Sequence, residues 1–282
     1  MKKVILISGC SSGIGRSLAI ALGQLGHIVY AGARREEDLS ALGSLVTSVK
    51  LDVNNDADVI DVMNKIEAEQ GRLDILINNA GYGAMGPLVE VPIAQVKNQF
   101  ETNVFAPLNM VQKALSLLQN ANGSTQKTPA IVVNIGSSAG LFTLPFSGVY
   151  GASKAAIHAL SDVLRMEMAA FNIHVMTVYP GGVASTFGDT ASDKLKETLV
   201  ANSLYRKVLP AIEKRARISS NSPTTPDMFA QALIKAMLSE KPPAECRIGQ
   251  GSRILPIAKK LLPTRLRELI LRRAYQLTQL KV

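Results

Sequence analysis

Four apolar residues, Val4 to Ile7, follow Met1-Lys2-Lys3 and stop at Ser8-Gly9. A short β-prone run ended by glycine reads as a buried strand. Beyond it Leu18, Ile20, Ala21, Leu22 and Leu25 recur at helical spacing as far as Gly26. The alternation then repeats. Apolar runs predict strands over Ile28 to Ala33, a short third one ending at Leu51-Asp52-Val53, Leu73 to Asn78, Ala130 to Ile135 and Ile173 to Tyr179. Helical patterns fill 55–69 and stretches near 96–119 and 151–170. Strands alternating with helices predict βαβ units, hence an α/β fold: a doubly wound parallel sheet in a single domain over 1–252. A polar, weakly periodic stretch near 183–223 reads as a lid. After it, Ile254, Ile257, Ala258, Leu261 and Leu262, then Leu266, Leu269, Ile270 and Leu277, predict two amphipathic helices on either side of Pro263, forming an extension over 253–282.

Composition narrows the class. Of 282 residues 47% are hydrophobic and 19% charged, a globular balance that excludes disorder and collagen. No apolar run approaches the roughly 18 residues of a membrane span. The basic start and the Ser8-Gly9-Cys10 end imitate an export signal, but a secretory core needs about 7 apolar residues or more, and Ser8 comes after four. Two cysteines, Cys10 and Cys246, build no disulfide framework, so a reducing, cytoplasmic setting is expected. The net charge of +9 is localised: residues 253–282 hold eight basic side chains against Glu268, a net of +7. The remainder is nearly neutral, which argues against nucleic acid as the partner of the main domain.

Gly9, Gly13 and Gly15 lie between the first strand and the first helix in the order G-x-x-x-G-x-G. At such a turn glycines admit a pyrophosphate to the backbone, and the helix N-terminus meets its charge. Gly9, Ser11, Ser12, Gly13, Ile14 and Gly15 are therefore candidate nucleotide-binding residues. Gly81-Tyr82-Gly83-Ala84-Met85-Gly86 spells a second glycine motif, but Pro87 follows and no helix opens there. The second strand ends Ala33-Arg34-Arg35, without the acid that NAD-binding folds put on the ribose hydroxyl. Arg34 and Arg35 instead suit a 2′-phosphate, which favours NADP(H) over NAD(H); Glu36, Glu37 and Asp38 oppose them.

Tyr150-Gly-Ala-Ser-Lys154 puts a phenol and an ammonium on one helical face. Lowering a phenol from pKa near 10 toward neutrality takes about 4 kcal/mol, the order of energy one cation supplies at about 4 Å and an effective dielectric of about 20. Ser137, just past a strand, can hydrogen-bond a substrate oxygen beside that phenol. The glycine loop, Asn78-Asn79-Ala80-Gly81, Asn103, Ser137, Tyr150, Lys154 and Pro180-Gly181-Gly182-Val183 together resemble the short-chain dehydrogenase/reductase family over about residues 1–190. Ser8 and Ser185 replace the family's usual threonines. The resemblance implies a Rossmann-type fold and a catalytic set of Asn103, Ser137, Tyr150 and Lys154. Tyr150 would act as general acid in reduction, Lys154 would lower its pKa and bind the nicotinamide ribose, Ser137 would polarise the carbonyl, and Asn103 would hold a water. It further implies that Asp52 and Val53 face the adenine, Asn79, Ala80 and Gly81 border the adenosine, and Pro180, Gly181 and Val183 lie at the nicotinamide end.

Two other readings compete. Gly136-Ser137-Ser138-Ala139-Gly140 is a literal G-x-S-x-G with Ser138 as a hydrolase nucleophile. That elbow needs a following helix, and Leu-Phe-Thr-Leu-Pro145 opposes one. A non-catalytic nucleotide sensor would lack Tyr150 or Lys154, and both are present. No metal-ligand spacing appears. Tyr82, Met85, Leu141, Phe142, Phe146, Val149 and Phe187 form the expected substrate wall, suited to a lipid-, steroid- or retinoid-like carbonyl. Within the family the chain is most similar to the branch of 17β-hydroxysteroid, retinol and acyl-dihydroxyacetone-phosphate oxidoreductases. Family resemblance implies a homodimer or homotetramer. The basic tail is expected either to cover the substrate mouth or to make a peripheral membrane contact.

Overall fold

In the computed structural model, which describes residues 2–122, 129–184, 203–217 and 222–280, β1 (Val4–Ser8) is buried throughout. Its period of two sends Val4 and Leu6 into one core layer and Ile5 and Ile7 into the other. A strand buried on both faces demands helices on both sides. They come from α1 (Gly13–Gln24), packed on β2 (Ile28–Ala33), and, after β3 (Thr47–Lys50), from α2 (Asp56–Gln70). β4 (Ile75–Asn78), α3 (Ile93–Phe100), a π-helical turn Glu101–Phe105 and α4 (Ala106–Asn122) follow, then β5 (Ala130–Ile135), the single turn α5 (Ser138–Leu141), α6 (Gly148–Met168) and β6 (Ile173–Pro180). The chain continues through α7 (Leu209–Ala216), α8 (Pro226–Met237), β7 (Glu245–Ile248), α9 (Ile254–Leu261) and α10 (Thr264–Ala274).

The strands pair in the order β3-β2-β1-β4-β5-β6-β7, every pair parallel. This is a doubly wound Rossmann-type sheet in a single domain. One core layer joins alternate strand residues to α2 and α4; the other joins them to α1 and α8, where Phe229 and Leu233 are fully buried. A buried side chain of that size contributes about 1.5–3 kcal/mol. The order reverses between β1 and β4, and the crevice beyond their carboxyl ends is where such sheets bind ligands.

Several boundaries depart from the sequence expectation for visible reasons. β4 begins at Ile75 instead of Leu73: the Leu73 N–H goes to the Leu117 carbonyl of α4 at 3.0 Å, and the buried Asp74 carboxylate accepts the Val4 N–H at 2.7 Å. β3 stops at Lys50 instead of Val53: the Asp52 N–H donates to the Asp58 carboxylate at 3.0 Å, turning the chain into α2. The predicted helix near 96–119 is interrupted by the π-turn at 101–105. A helical turn does follow Ser138, short enough to end before Pro145, so the expectation of none was too strict. β7, α8 and the 3-10 segment Glu36–Leu45 were not anticipated. Most of the expected lid at 183–223 lies outside the described residues.

Candidate active site

A cavity of about 850 Å³ opens at the strand-order reversal. Its floor at one end is the glycine loop. Gly9 adopts φ +73°, and a Cβ on Gly15 would strike the Gly9 carbonyl and Asn79, so α1 can approach β1 only with glycine at these places. Asn79 ties the loop to β4, its Nδ2 donating to the carbonyls of Ser8 and Gly9 at 2.9 and 3.0 Å. Ser8 Oγ accepts the N–H groups of Asn79 and Ala80, each at 3.1 Å, a bond serine makes as well as threonine. The first turn of α1 carries no acidic residue, leaving its N-terminal dipole to an anion.

The cavity takes in Gly9, Ser11, Ser12, Gly13, Ile14, Arg34, Asp52, Val53, Asn79, Ala80 and Gly81, and farther along Ser137, Tyr150, Lys154, Pro180, Gly181 and Val183. Gly15 lies behind it. The two arginines separate: Arg34 lines the cavity, whereas Arg35 points away and forks onto Asp38, with contacts of 3.1 and 2.8 Å. Cradle, helix end and Arg34 together fit a dinucleotide.

The chemistry-bearing groups meet at the other end. Burial pushes the Tyr150 phenol above its ordinary range, against the opposing pull of a hydrogen bond with Ser137 and of the nearby Arg215 guanidinium. Lys154 Nζ donates to the Ile135 carbonyl at 2.7 Å and lies 6.0 Å from the Tyr150 ring centroid. Burial draws its own pKa down to about 8. Ser137 caps α5, its Oγ accepting the Ala139 N–H at 3.1 Å. Its backbone N–H is held at 3.2 Å by His158 Nε2, and burial pulls that imidazole down to about 4. His158, read from sequence only as structural, is thus a positioning residue for Ser137.

Asn103 sits on the π-turn beneath the site, not in the cavity wall. Its Nδ2 donates to the Tyr82 carbonyl and to Ser153 Oγ at 2.9 and 3.1 Å, while its Oδ1 accepts the Tyr82 N–H at 3.2 Å. Ser153 Oγ in turn donates to the Tyr150 carbonyl at 2.8 Å. The buried Gln99 completes this set through the Ala84 N–H at 2.7 Å. The side chain of Asn103 thereby fastens the Tyr82 loop to α6; π-turns of this kind recur at functional sites.

Of the expected substrate wall, Tyr82, Met85 and Phe142 face the cavity. Phe146 is buried behind it with Met85, Ala139 and Tyr150, Leu141 and Val149 are outside its lining, and Phe187 is outside the described residues. Leu144, Ala216, Leu255 and Arg215 line that end without having been anticipated. The rim of a cavity is assembled from distant segments, which local periodicity does not reveal. The end of the tail closes the same region: the Tyr275 ring packs on Phe146 at 6.1 Å, and Leu277 and Leu280 join the cluster.

The hydrolase arrangement does not form. His158 Nε2 is committed to Ser137, His27 Nδ1 accepts the Lys3 N–H, and His174 lies against the Pro243 carbonyl, so no histidine serves Ser138 as a base. Among the described residues no cluster of metal-ligating side chains occurs.

The family model of short chain dehydrogenases matches residues 3–196. The chain is 32% identical over 270 residues to the NADPH-dependent 1-acyldihydroxyacetone phosphate reductase of Saccharomyces cerevisiae, covering 93% of this chain and 87% of that relative. It is 32% identical over 279 residues to the 3-ketodihydrosphingosine reductase of Bacteroides thetaiotaomicron, covering 97% and 98%. The crystal structure of a short-chain dehydrogenase from Streptomyces avermitilis superposes with a TM-score of 0.78 at 26% identity, covering 99% of this chain and 98% of that one.

Proposed function

The chain belongs to the short-chain dehydrogenase/reductase family, and from that premise we propose that it interconverts a carbonyl and an alcohol on a lipid-like substrate, using NADP(H) in preference to NAD(H). One observation carries the reading: Tyr150 and Ser137 meet at the apolar end of the cavity whose other end is lined by the glycine loop and Arg34. A nicotinamide bound between these ends supplies or accepts the hydride. Ser137 Oγ holds the carbonyl oxygen, and the Tyr150 hydroxyl delivers the proton that this oxygen needs. Lys154, 6.0 Å from the ring centroid and held on the Ile135 carbonyl, would bind the nicotinamide ribose of a bound cofactor. Its cation then favours the phenolate left by proton transfer. A water that returns the proton would have to be held by the Asn103 main chain, since its side chain is committed to Tyr82 and Ser153.

Preference for NADP(H) rests on Arg34 and on the absence of an acid at the end of β2, and the NADPH dependence named for the yeast relative agrees with it. A lipid-like substrate fits Met85, Phe142, Leu144 and Leu255 and the substrates that the two relatives are named for. The protein works as a homodimer or homotetramer through α4 and α6, around which Phe105, Val163 and Met166 are exposed. It acts in a reducing, cytoplasmic compartment, consistent with two free thiols. The extension borders the substrate mouth through Leu255, Tyr275, Leu277 and Leu280.

The tail serves both as cover and as peripheral membrane contact. Its tip packs at Tyr275, while Ile254, Ile257 and Leu261 of α9 and Leu266, Leu269 and Ile270 of α10 remain exposed beside basic side chains. Among the described residues no helix is long and apolar enough to cross a membrane.

Consumption of NADPH and of NADH with a panel of apolar ketones tests the reading. Turnover with NADPH at least about 10-fold above NADH, the value of one charge-assisted hydrogen bond, is the expected result. No consumption of either with any ketone contradicts the activity, and preference for NADH contradicts the role of Arg34.

A further inference from the structure

Arg215 on α7 lines the catalytic end of the cavity and is only 6% exposed. Its Nη2 donates to Ser147 Oγ at 3.1 Å, and its Nε has no hydrogen-bond partner. Among the described residues no carboxylate lies within ion-pair distance of this guanidinium. A guanidinium does not shed its proton in a protein. A buried charge that cannot neutralise itself requires a counter-charge, or its desolvation stays uncompensated. The ionisable groups that bear on it are two phenols, Tyr275 from the tail and Tyr150. Burial pushes both phenols upward, so neither is an anion near neutral pH. The remaining wall at that end, Met85, Phe142, Ala216 and Leu255, offers no negative charge. Among the described residues nothing supplies the counter-charge, which leaves that role open to the ligand.

We infer that Arg215 is an anion-binding residue for the substrate, which is an amphiphilic ketone bearing a phosphate or carboxylate a few bonds from its carbonyl. The anion docks on the free edge of the guanidinium, the carbonyl reaches Tyr150 and Ser137, and the hydrocarbon part lies along Met85, Phe142 and Leu255. The inference rests on the reading that Tyr150 protonates a substrate carbonyl. It adds a selection that an apolar wall alone cannot make: a neutral ketone leaves the guanidinium bare, and a ketone carrying an ammonium there is repelled.

The alternative is that Arg215 serves Tyr150 alone, as a cation that eases proton loss. The two roles separate in a ratio. Soluble short-chain probes are hexanoyl dihydroxyacetone phosphate, its dephosphorylated form and a keto acid of matching length, each reduced with NADPH by the parent and by Arg215→Met and Arg215→Lys. The parent should favour at least one anionic ketone over the neutral one by about 10-fold or more in kcat/KM, the effect of one charge-assisted hydrogen bond. That preference should fall to near unity in Arg215→Met and partly persist in Arg215→Lys, and the favoured anion identifies phosphate or carboxylate. An equal ratio in parent and Arg215→Met overturns the inference even if both turnovers fall, because a cation acting only on Tyr150 slows every ketone alike. Should Arg215→Met fail to fold, Arg215→Gln is read in the same way. Calorimetry on the NADP-loaded protein with hexanoyl glycerol phosphate and hexanoyl glycerol removes dependence on turnover. A phosphate preference lost in the variant, with no ketone reduced, keeps the anion site and defeats the reductase reading; no preference in the parent, with the keto acid equally unselected, defeats the anion site.

Discussion

Between pH 8 and 10.5 the buried Lys154 sets a measurable slope. Its ammonium titrates near 8 in the folded protein and near 10.5 when unperturbed, the difference arising from burial. In that window the unfolded chain binds the extra proton, so stability rises with pH, by on the order of 3 kcal/mol across it. Below pH 8 both states are protonated and the penalty is constant. Urea unfolding at several pH values should show the parent gaining on Lys154→Met by this slope, while the buried Cys10 thiol, pushed up to about 12, lowers both alike above pH 9; parallel curves would contradict the burial account. His158 acts one residue removed from the chemistry. Removing the acceptor of the Ser137 N–H with His158→Leu leaves a buried donor unpaired, worth about 1–3 kcal/mol. We expect kcat to fall by about 10-fold or more while cofactor affinity stays; equal losses in both would mean a general collapse. Ser138→Ala should cost far less than either change, and the reverse order would revive the hydrolase reading. At this scale Tyr150, Lys154 and Ser137 were legible because their spacing carries a chemical use. Arg215 was not: within Lys214-Arg215-Ala216-Arg217 it has the pattern of a solvated face, and only the packing of α7 shows it buried.

The elements divide by how strongly local pattern dictates them. β1, β2, β5 and β6 were readable because a strand buried on both faces is an uninterrupted apolar run. β7 escaped notice because Glu245-Cys-Arg-Ile248 is a short, half-exposed edge whose pairing with β6 is set by tertiary structure. The interruption of the 96–119 helix was equally hidden, since a π-turn leaves no compositional mark. The end of β2 shows how an element's last residues choose their roles: Arg34 faces the cavity while Arg35 closes on Asp38 three residues ahead. Arg34→Ala should therefore weaken NADPH binding by about 10-fold or more, from the worth of a charge-assisted hydrogen bond, with little effect on NADH. Arg35→Ala should do much less. Equal effects of the two substitutions, measured by calorimetry, would show that Arg35 leaves Asp38 when cofactor binds.

For the molecule as a whole, charge and hydrophobicity are divided. The Rossmann body is nearly neutral, and residues 253–282 carry a net of +7. The sequence alone left the tail's place open between cover and membrane contact; in the structure Tyr275, Leu277 and Leu280 pack on the cluster of Met85, Phe146 and Tyr150, while Ile254, Ile257 and Leu261 of α9 and Leu266, Leu269 and Ile270 of α10 stay exposed. Each basic residue near an anionic bilayer is worth about 1 kcal/mol, so anionic vesicles should co-sediment the protein at low salt and release it as salt rises. Binding that survives truncation after Gly251 would place the contact elsewhere. Met166→Lys on α6 should shift sedimentation toward smaller species if the exposed face of α4 and α6 joins the subunits. The central claim is that one phenol delivers the proton to a lipid-like ketone, and Tyr150→Phe tests it most directly, because the substitution removes a single oxygen from a packed ring. NADPH affinity should be retained by calorimetry, while ketone-dependent NADPH oxidation falls by about 100-fold or more, the scale of general-acid catalysis. Near-parental turnover in Tyr150→Phe would contradict the account.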